Sequence, residues 1–164
     1  MRGGAPLAMA AAVNVAPAVA VGSALLLALP AYAGPDGATL YAEQCAACHQ
    51  ADGSGTVGLA PPLTGDHWLR LGADRGYLPT VLLKGLAGPI QLPGRVFVGS
   101  MPAFAGVLKD DEVVALVVHV RRLQGASDTA PESSVSSIDE VKALREAPGS
   151  PSRSRQRRVQ ALGS

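Results

Sequence analysis

CAACHQ, residues 45 to 50, holds both cysteines of a 164-residue chain and sets a histidine directly after the second. Few features constrain a fold so tightly, because two thiols one helical turn apart must serve something both can reach. A disulfide, open to an exported protein, would leave His49 unexplained. A redox dithiol or half of a zinc site uses the same spacing. Tetrahedral zinc would also need a fourth ligand, which His67 or His119 could supply. The remaining reading is the attachment signature of a c-type haem. Two thiols add to two vinyl groups on one porphyrin edge, whose separation one helical turn can match, and the next histidine is then held beneath the iron. A redox dithiol wants a βαβ setting, of which the chain shows none. An isolated zinc knuckle has no use for the long loop that ends in GSMPAF, residues 99 to 104. The favoured reading therefore makes Cys45 and Cys48 the covalent anchors of one haem c and His49 an iron ligand.

Haem iron in electron carriers is commonly held by His and Met, the thioether favouring Fe(II). The methionines are Met1, Met9 and Met101. The first two fall in an N-terminal stretch that reads as an export signal, so Met101 is the candidate sixth ligand. It sits in a Gly-flanked loop far from His49, and Pro102 beside it restricts the backbone. The competing reading is that Met101 fills a gap in the core. His67 and His119 are rival ligands. His119 lies between Val118 and Val120 on a strongly patterned helix and reads better as a packed interfacial histidine, while His67 reads as a loop residue. Trp68, the only tryptophan, reads as a core or haem-wall residue.

The signal reading rests on Arg2, the only charge before Asp36, followed by the apolar run 18 to 29 and by Ala31-Tyr32-Ala33, a small-residue cleavage pattern. An uncleaved anchor is the alternative, since residues 15 to 33 carry no charge. The expected boundaries are a signal or anchor at 1–33, a haem domain at 34–126, an extension with a short helix at 127–147 and a disordered basic tail at 148–164. Helical spacing covers 37–48 and places the cysteines at a helix end. Gly- and Pro-rich loops are expected at 49–66 and 87–108. A second helix begins near Tyr77, with Pro79 in its first turn and Gly85 near its stop. The clearest helix is 110–123, with Asp110, Asp111 and Glu112 at its positive end and Arg121 and Arg122 at the other. Residues 138–146 form a short helix. With no useful β-alternation, the fold class is all-α, three to four helices with long loops. Charge is unevenly placed: residues 34 to 147 carry nine Lys/Arg against all thirteen acids, whereas 148 to 164 carry four Arg and no acid. The tail reads as solvated, and the acidic body suits a partner with a basic patch.

These residues resemble the class I c-type cytochromes over about 35 to 146. The resemblance rests on Gly37 and Tyr41, CAACH, the PPLTG segment at 61 to 65, GSMPAF and the final helix. The stretch GLAGPIQLPGRVFVGSMPAF is further similar to small monohaem cytochromes, or cytochrome domains, that accompany periplasmic dehydrogenases or copper nitrite reductases, and VKALR at 141 to 145 is similar to a helix that often follows in them. The resemblance implies a cytochrome c fold wrapped round one haem. It implies that the Pro61 carbonyl takes the His49 ring N–H and that Gly37 permits close crossing of the first and last helices. Two departures stand out: His119 where the last helix usually offers an aromatic, and Phe97 where relatives often carry Tyr. The expected function is one-electron carriage, without enzymatic bond chemistry, between a periplasmic dehydrogenase-like donor and a respiratory acceptor. The alternatives are a small peroxidase or gas-binding haem protein with an open sixth position, and a subunit of a larger redox complex. Partners would be redox proteins (a dehydrogenase, a nitrite-reductase-like protein or an oxidase), with no nucleic acid and with a membrane only if residues 1–33 stay attached. The chain itself is expected to be a periplasmic monomer or complex subunit.

Overall fold

Asp36 starts the first helix because its carboxylate accepts from the backbone N–H of Ala38 (3.1 Å) and of Thr39 (3.2 Å), two donors that a helix N-terminus leaves free. The computed structural model describes residues 1, 3–4, 34–125 and 137–163. The chain divides into two compact units, Met1–Ala31 and Tyr32–Ser164, and every described helix and strand belongs to the second. The expected signal at 1–33 lies almost wholly outside the described residues, among which no helix is long and apolar enough to cross a membrane.

Helix α1 runs Gly37–Gln44. The chain breaks at Cys45 and continues as α2, Ala46–His49, so the expected 37–48 helix is two pieces rather than one. Gln50, with φ of 60°, stops it. Helix α3, His67–Leu71, begins just after the expected 49–66 loop and makes His67, read from sequence as a loop residue, a helical one. Helix α4, Tyr77–Lys84, ends at Gly85, whose φ of 74° an L side chain resists.

The 87–108 segment is not structureless. Strand β1, Leu86–Ala87, pairs antiparallel with β4, Ser100–Met101, in the register Leu86 to Met101. Between them, β2, Ile90–Leu92, pairs with β3, Arg95–Phe97, around Pro93-Gly94. Strands of two or three residues cannot show a period-two pattern, which is why the sequence hides them. The fold remains mostly helical.

Helix α5, Asp110–Leu123, buries Val113, Leu116, Val117 and Val120. It crosses α1 so closely that a methyl group on Gly37 would lie 2.2 Å from the Ala115 carbonyl oxygen. Helix α6, Ile138–Glu146, carries a reciprocal cap: Ser137 Oγ accepts from Glu140 N and Glu140 Oε2 accepts from Ser137 N. Its Arg145 donates to Asp110 Oδ1 (2.7 Å), Leu108 O (2.7 Å) and Ala105 O, stitching α6 to the start of α5.

The 148–164 segment departs most from expectation. It is a helix, α7, Pro151–Leu162, packed against α3, α4 and β1, and not a disordered tail. Ser150 caps it, Pro151 opens it and left-handed Gly163 closes it. Two of its four arginines, Arg157 and Arg158, are turned into the fold, while Arg153 stays exposed. Arg157 clasps both carboxylate oxygens of Asp74 at 2.6 Å, Arg158 is 4% exposed, and the end of the helix is held by Arg70 Nη1 donating to Leu162 O (2.7 Å). Composition alone signalled disorder because it registered the charge and not these partners.

Candidate functional site

The helical turn of α2 presents Cys45, Cys48 and His49 to one apolar cleft of about 1150 Å³, part of it open to solvent. The loop that follows is laced back onto this turn. Gly55 N donates to His49 O (2.9 Å), Thr56 Oγ1 to Cys48 O (2.7 Å), and Tyr41 Oη to Gln50 O (2.8 Å). Thr56 and Ala60 exchange backbone hydrogen bonds of 2.9 Å each, which turns the chain and delivers Pro61. Pro61 O lies 3.1 Å from His49 Nδ1. A carbonyl can only accept, so Nδ1 carries the proton and Nε2 keeps its lone pair. Burial pushes the His49 pKa below its ordinary value and the Pro61 hydrogen bond opposes that, so the ring is the neutral, ligating form at pH 7.

Met101 reaches the same cleft from β4. Two close approaches set its strand. A methyl group on Gly85 would meet Met101 O at 2.7 Å, and one on Gly99 would meet Leu59 O at 2.3 Å. Phe104 N donates to Leu82 O (2.9 Å), tying the loop after Met101 to α4. Trp68, Tyr77, Leu82, Phe97 and Phe104 help to wall the cleft, with Trp68 Nε1 donating to Pro62 O (3.2 Å). Among the described residues lining it, His49 is the only histidine and Met101 the only methionine. His67 instead places Nε2 3.3 Å from Pro62 O, and His119 packs on the Tyr41 ring at 4.9 Å between centroids.

The chemistry of this donor set fits haem and disfavours the alternatives. Burial, with Cys48 nearby, pushes the Cys45 thiol up to about 11, the reverse of the depressed value a redox dithiol needs. Among the described residues no three His, Cys, Asp or Glu side chains gather as a zinc site requires. A thiol pair on one turn, an imidazole with a free Nε2 and a broad apolar cleft match a covalently held macrocycle.

Three contributors escaped sequence reasoning. Thr56 and the Tyr41 hydroxyl act on backbone carbonyls, and no motif marks such bonds. Arg158 lines the cleft from α7, 109 residues beyond His49. The Ser-Pro start and Gly163 stop of α7 were visible signals for the helix, though not for where it docks.

The family model described as "Cytochrome C oxidase, cbb3-type, subunit III" matches residues 33–120. Cytochrome c-552 of Thermus thermophilus is 42% identical over 124 residues, 74% of this chain and 82% of that protein. The cbb3-type cytochrome c oxidase subunit FixP of Bradyrhizobium diazoefficiens is 36% identical over 100 residues, 60% of this chain but 33% of the relative. Subunit CcoP of Azospirillum brasilense is 38% identical over 100 residues, 58% of this chain and 30% of the relative. Haem c is thus held covalently through Cys45 and Cys48, and the chain belongs to the class I monohaem c-type cytochromes, an electron-carrier domain of the cytochrome c-552 and cbb3 subunit III kind.

Proposed function

We propose that His49 and Met101 close both axial positions of the haem iron, and that the protein passes single electrons from a periplasmic dehydrogenase-like donor to a terminal oxidase. The observation that carries the first part is the convergence of His49 and Met101, from segments 52 residues apart, on one apolar cleft. Bound haem supplies one-electron exchange between Fe(III) and Fe(II). The chain's part is to orient His49 through Pro61, to hold Met101 through the β1–β4 pairing, and to keep water from the apolar wall. Filled axial positions leave no room for a substrate at the metal, which separates this reading from a peroxidase or gas sensor.

An oxidase as acceptor is supported by the names of the FixP and CcoP relatives. The dehydrogenase- or nitrite-reductase-associated subfamily rests on the GLAGPIQLPGRVFVGSMPAF pattern and on VKALR at 141 to 145. The periplasmic setting, with residues 1–33 as leader or anchor, rests on the Ala31-Tyr32-Ala33 pattern. Val57 (83% exposed), Leu59 (52%) and Val98 (72%) lie together beside the cleft, where Val98 N donates to Gly58 O (3.2 Å) and Leu59 itself lines the wall. Such an apolar rim suits the small, transient contacts of redox partners. Because α7 lays its arginines on the acidic body, the two opposed charges largely cancel, and steering by a basic partner would be weaker than the body alone suggests.

The test is the absorption spectrum of the holoprotein. The oxidised form is expected to show the weak far-red band of a methionine–iron(III) bond and no response to CO when reduced. Met101→Ala should lose the band and gain CO binding. A wild type that binds CO as readily as Met101→Ala overturns the closed-iron reading.

A further inference from the structure

Helix α7 sends one side chain into the haem cleft, and it is a cation. Arg158 is 4% exposed and is the only Lys, Arg, Asp or Glu among the described residues that line the cleft. Its guanidinium lies beside Tyr77, itself 2% exposed. Its Nη2 atom is buried with no hydrogen-bond partner in the protein. A guanidinium cannot shed its proton to escape burial, and a buried charge without an opposite charge is costly. The nearby carboxylate of Asp74 is already taken by Arg157 at 2.6 Å on both oxygens. The side chain is also not placed by chance. The preceding residue anchors the helix to Asp74 and Thr80, and Arg70 secures its last turn through Leu162 O. Arg158 lines the cleft, so a carboxylate bound there would supply the missing countercharge, and haem c brings two propionate carboxylates.

We propose that Arg158 receives a haem propionate through its unpartnered Nη2, which makes the C-terminal helix part of the cofactor site. This rests on the haem reading above. The match is of the strong kind, a planar guanidinium donating to a carboxylate away from water. A fixed positive charge beside the macrocycle favours the reduced iron, which carries one positive charge less. The same contact ties α7 to the haem, so that the cofactor and the helix hold each other in place.

The experiment uses the matured holoprotein and three variants: Arg158→Met, Arg158→Lys and, as a control on the same helix, exposed Arg153→Met. Arg158→Met is expected to lower the ratio of reduced to oxidised protein at a fixed applied potential about tenfold, which is 59 mV for one electron. Arg158→Lys keeps the charge and should recover most of that, and Arg153→Met should leave the potential where it was. In reduced wild type, NMR should show nuclear Overhauser contacts from the Arg158 guanidinium protons to propionate methylenes. This holds even if Arg158→Met fails to fold. An unchanged potential in Arg158→Met, equal shifts in the Met and Lys variants, or absent Overhauser contacts would each overturn the proposal. Haem stain and the far-red band are read on every sample. Both intact with no Arg158 effect sinks this proposal alone, while absence of covalent haem sinks the reading beneath it as well.

Discussion

Gly37 shows how one missing methyl group places a whole helix. A Cβ there would stand 2.2 Å from Ala115 O and 3.2 Å from His119 Cβ. The first obstacle is backbone, which cannot swing aside, so α1 and α5 would have to separate. Gly37→Ala is expected to destabilise the protein by about 1–3 kcal/mol, the usual range for overpacking, although alanine is the better helix former. Urea titration of the holoprotein measures it, and a neutral or stabilised variant would mean the crossing is looser than described. Residue-scale chemistry was also the most legible part of the sequence. Cys45, Cys48 and His49 had to be neighbours because the thiols and the ring serve one rigid macrocycle. Met101 stood out because no other methionine lies beyond the leader-like segment. The bond of the Tyr41 hydroxyl, Thr56 and Arg158 left no such trace, since bonds to backbone carbonyls, or to a cleft more than a hundred residues away, impose no spacing.

At the scale of elements, the helices that sequence reasoning placed well are those whose ends are marked. Helix α5 has acids at its start and arginines at its finish, α6 has the Ser137–Glu140 cap, and both match their expected ranges. Helix α3 has no side-chain cap and only five residues, and β1 to β4 are shorter still. Helix α7 was missed for another reason. Its Ser150 cap, Pro151 and Gly163 were in view, but a run of Arg and Ser outweighed them, because the stability of such a helix comes from what it docks on. The Arg157–Asp74 pair is the main clasp and is bidentate, yet its side chains are 35% and 34% exposed, so water screens it. Arg157→Met should therefore cost only about 1 kcal/mol, concentrated in this element. Hydrogen exchange should quicken across 151 to 162 while α1 and α5 stay protected. Exchange that quickens uniformly, or not at all, would show that α7 is held by other contacts.

The whole molecule should be weakened by mild acid, and the sign follows from its histidines. Burial is the main cause that lowers the pKa of both His67 and His119, assisted by Arg158 for the first and Arg122 for the second, while the Pro62 carbonyl and then Asp66 oppose it at His67 and Asp36 opposes it at His119. His49 is left aside because it serves the iron. A histidine depressed in the native state binds its proton more readily once unfolded, where the value is about 6.5. Stability is therefore whole above that value and is lost as pH falls from about 6.5 through the lower native values. A second loss begins lower, as Asp36, Asp52 and Glu140 protonate. Their carboxylates are held below the ordinary range chiefly by hydrogen bonds from Thr39, Ser54 and the Ser137 backbone respectively. The two windows can be separated with one substitution. His119→Phe keeps a ring against Tyr41, 4.9 Å away in the native protein, and removes the titrating group. Urea titrations at pH 8 and pH 5 should show wild type losing stability between them and His119→Phe losing less. Equal losses would mean that the α1–α5 contact is indifferent to the charge on His119, leaving His67, beneath the Arg158 of α7, as the acid-sensitive point of the fold.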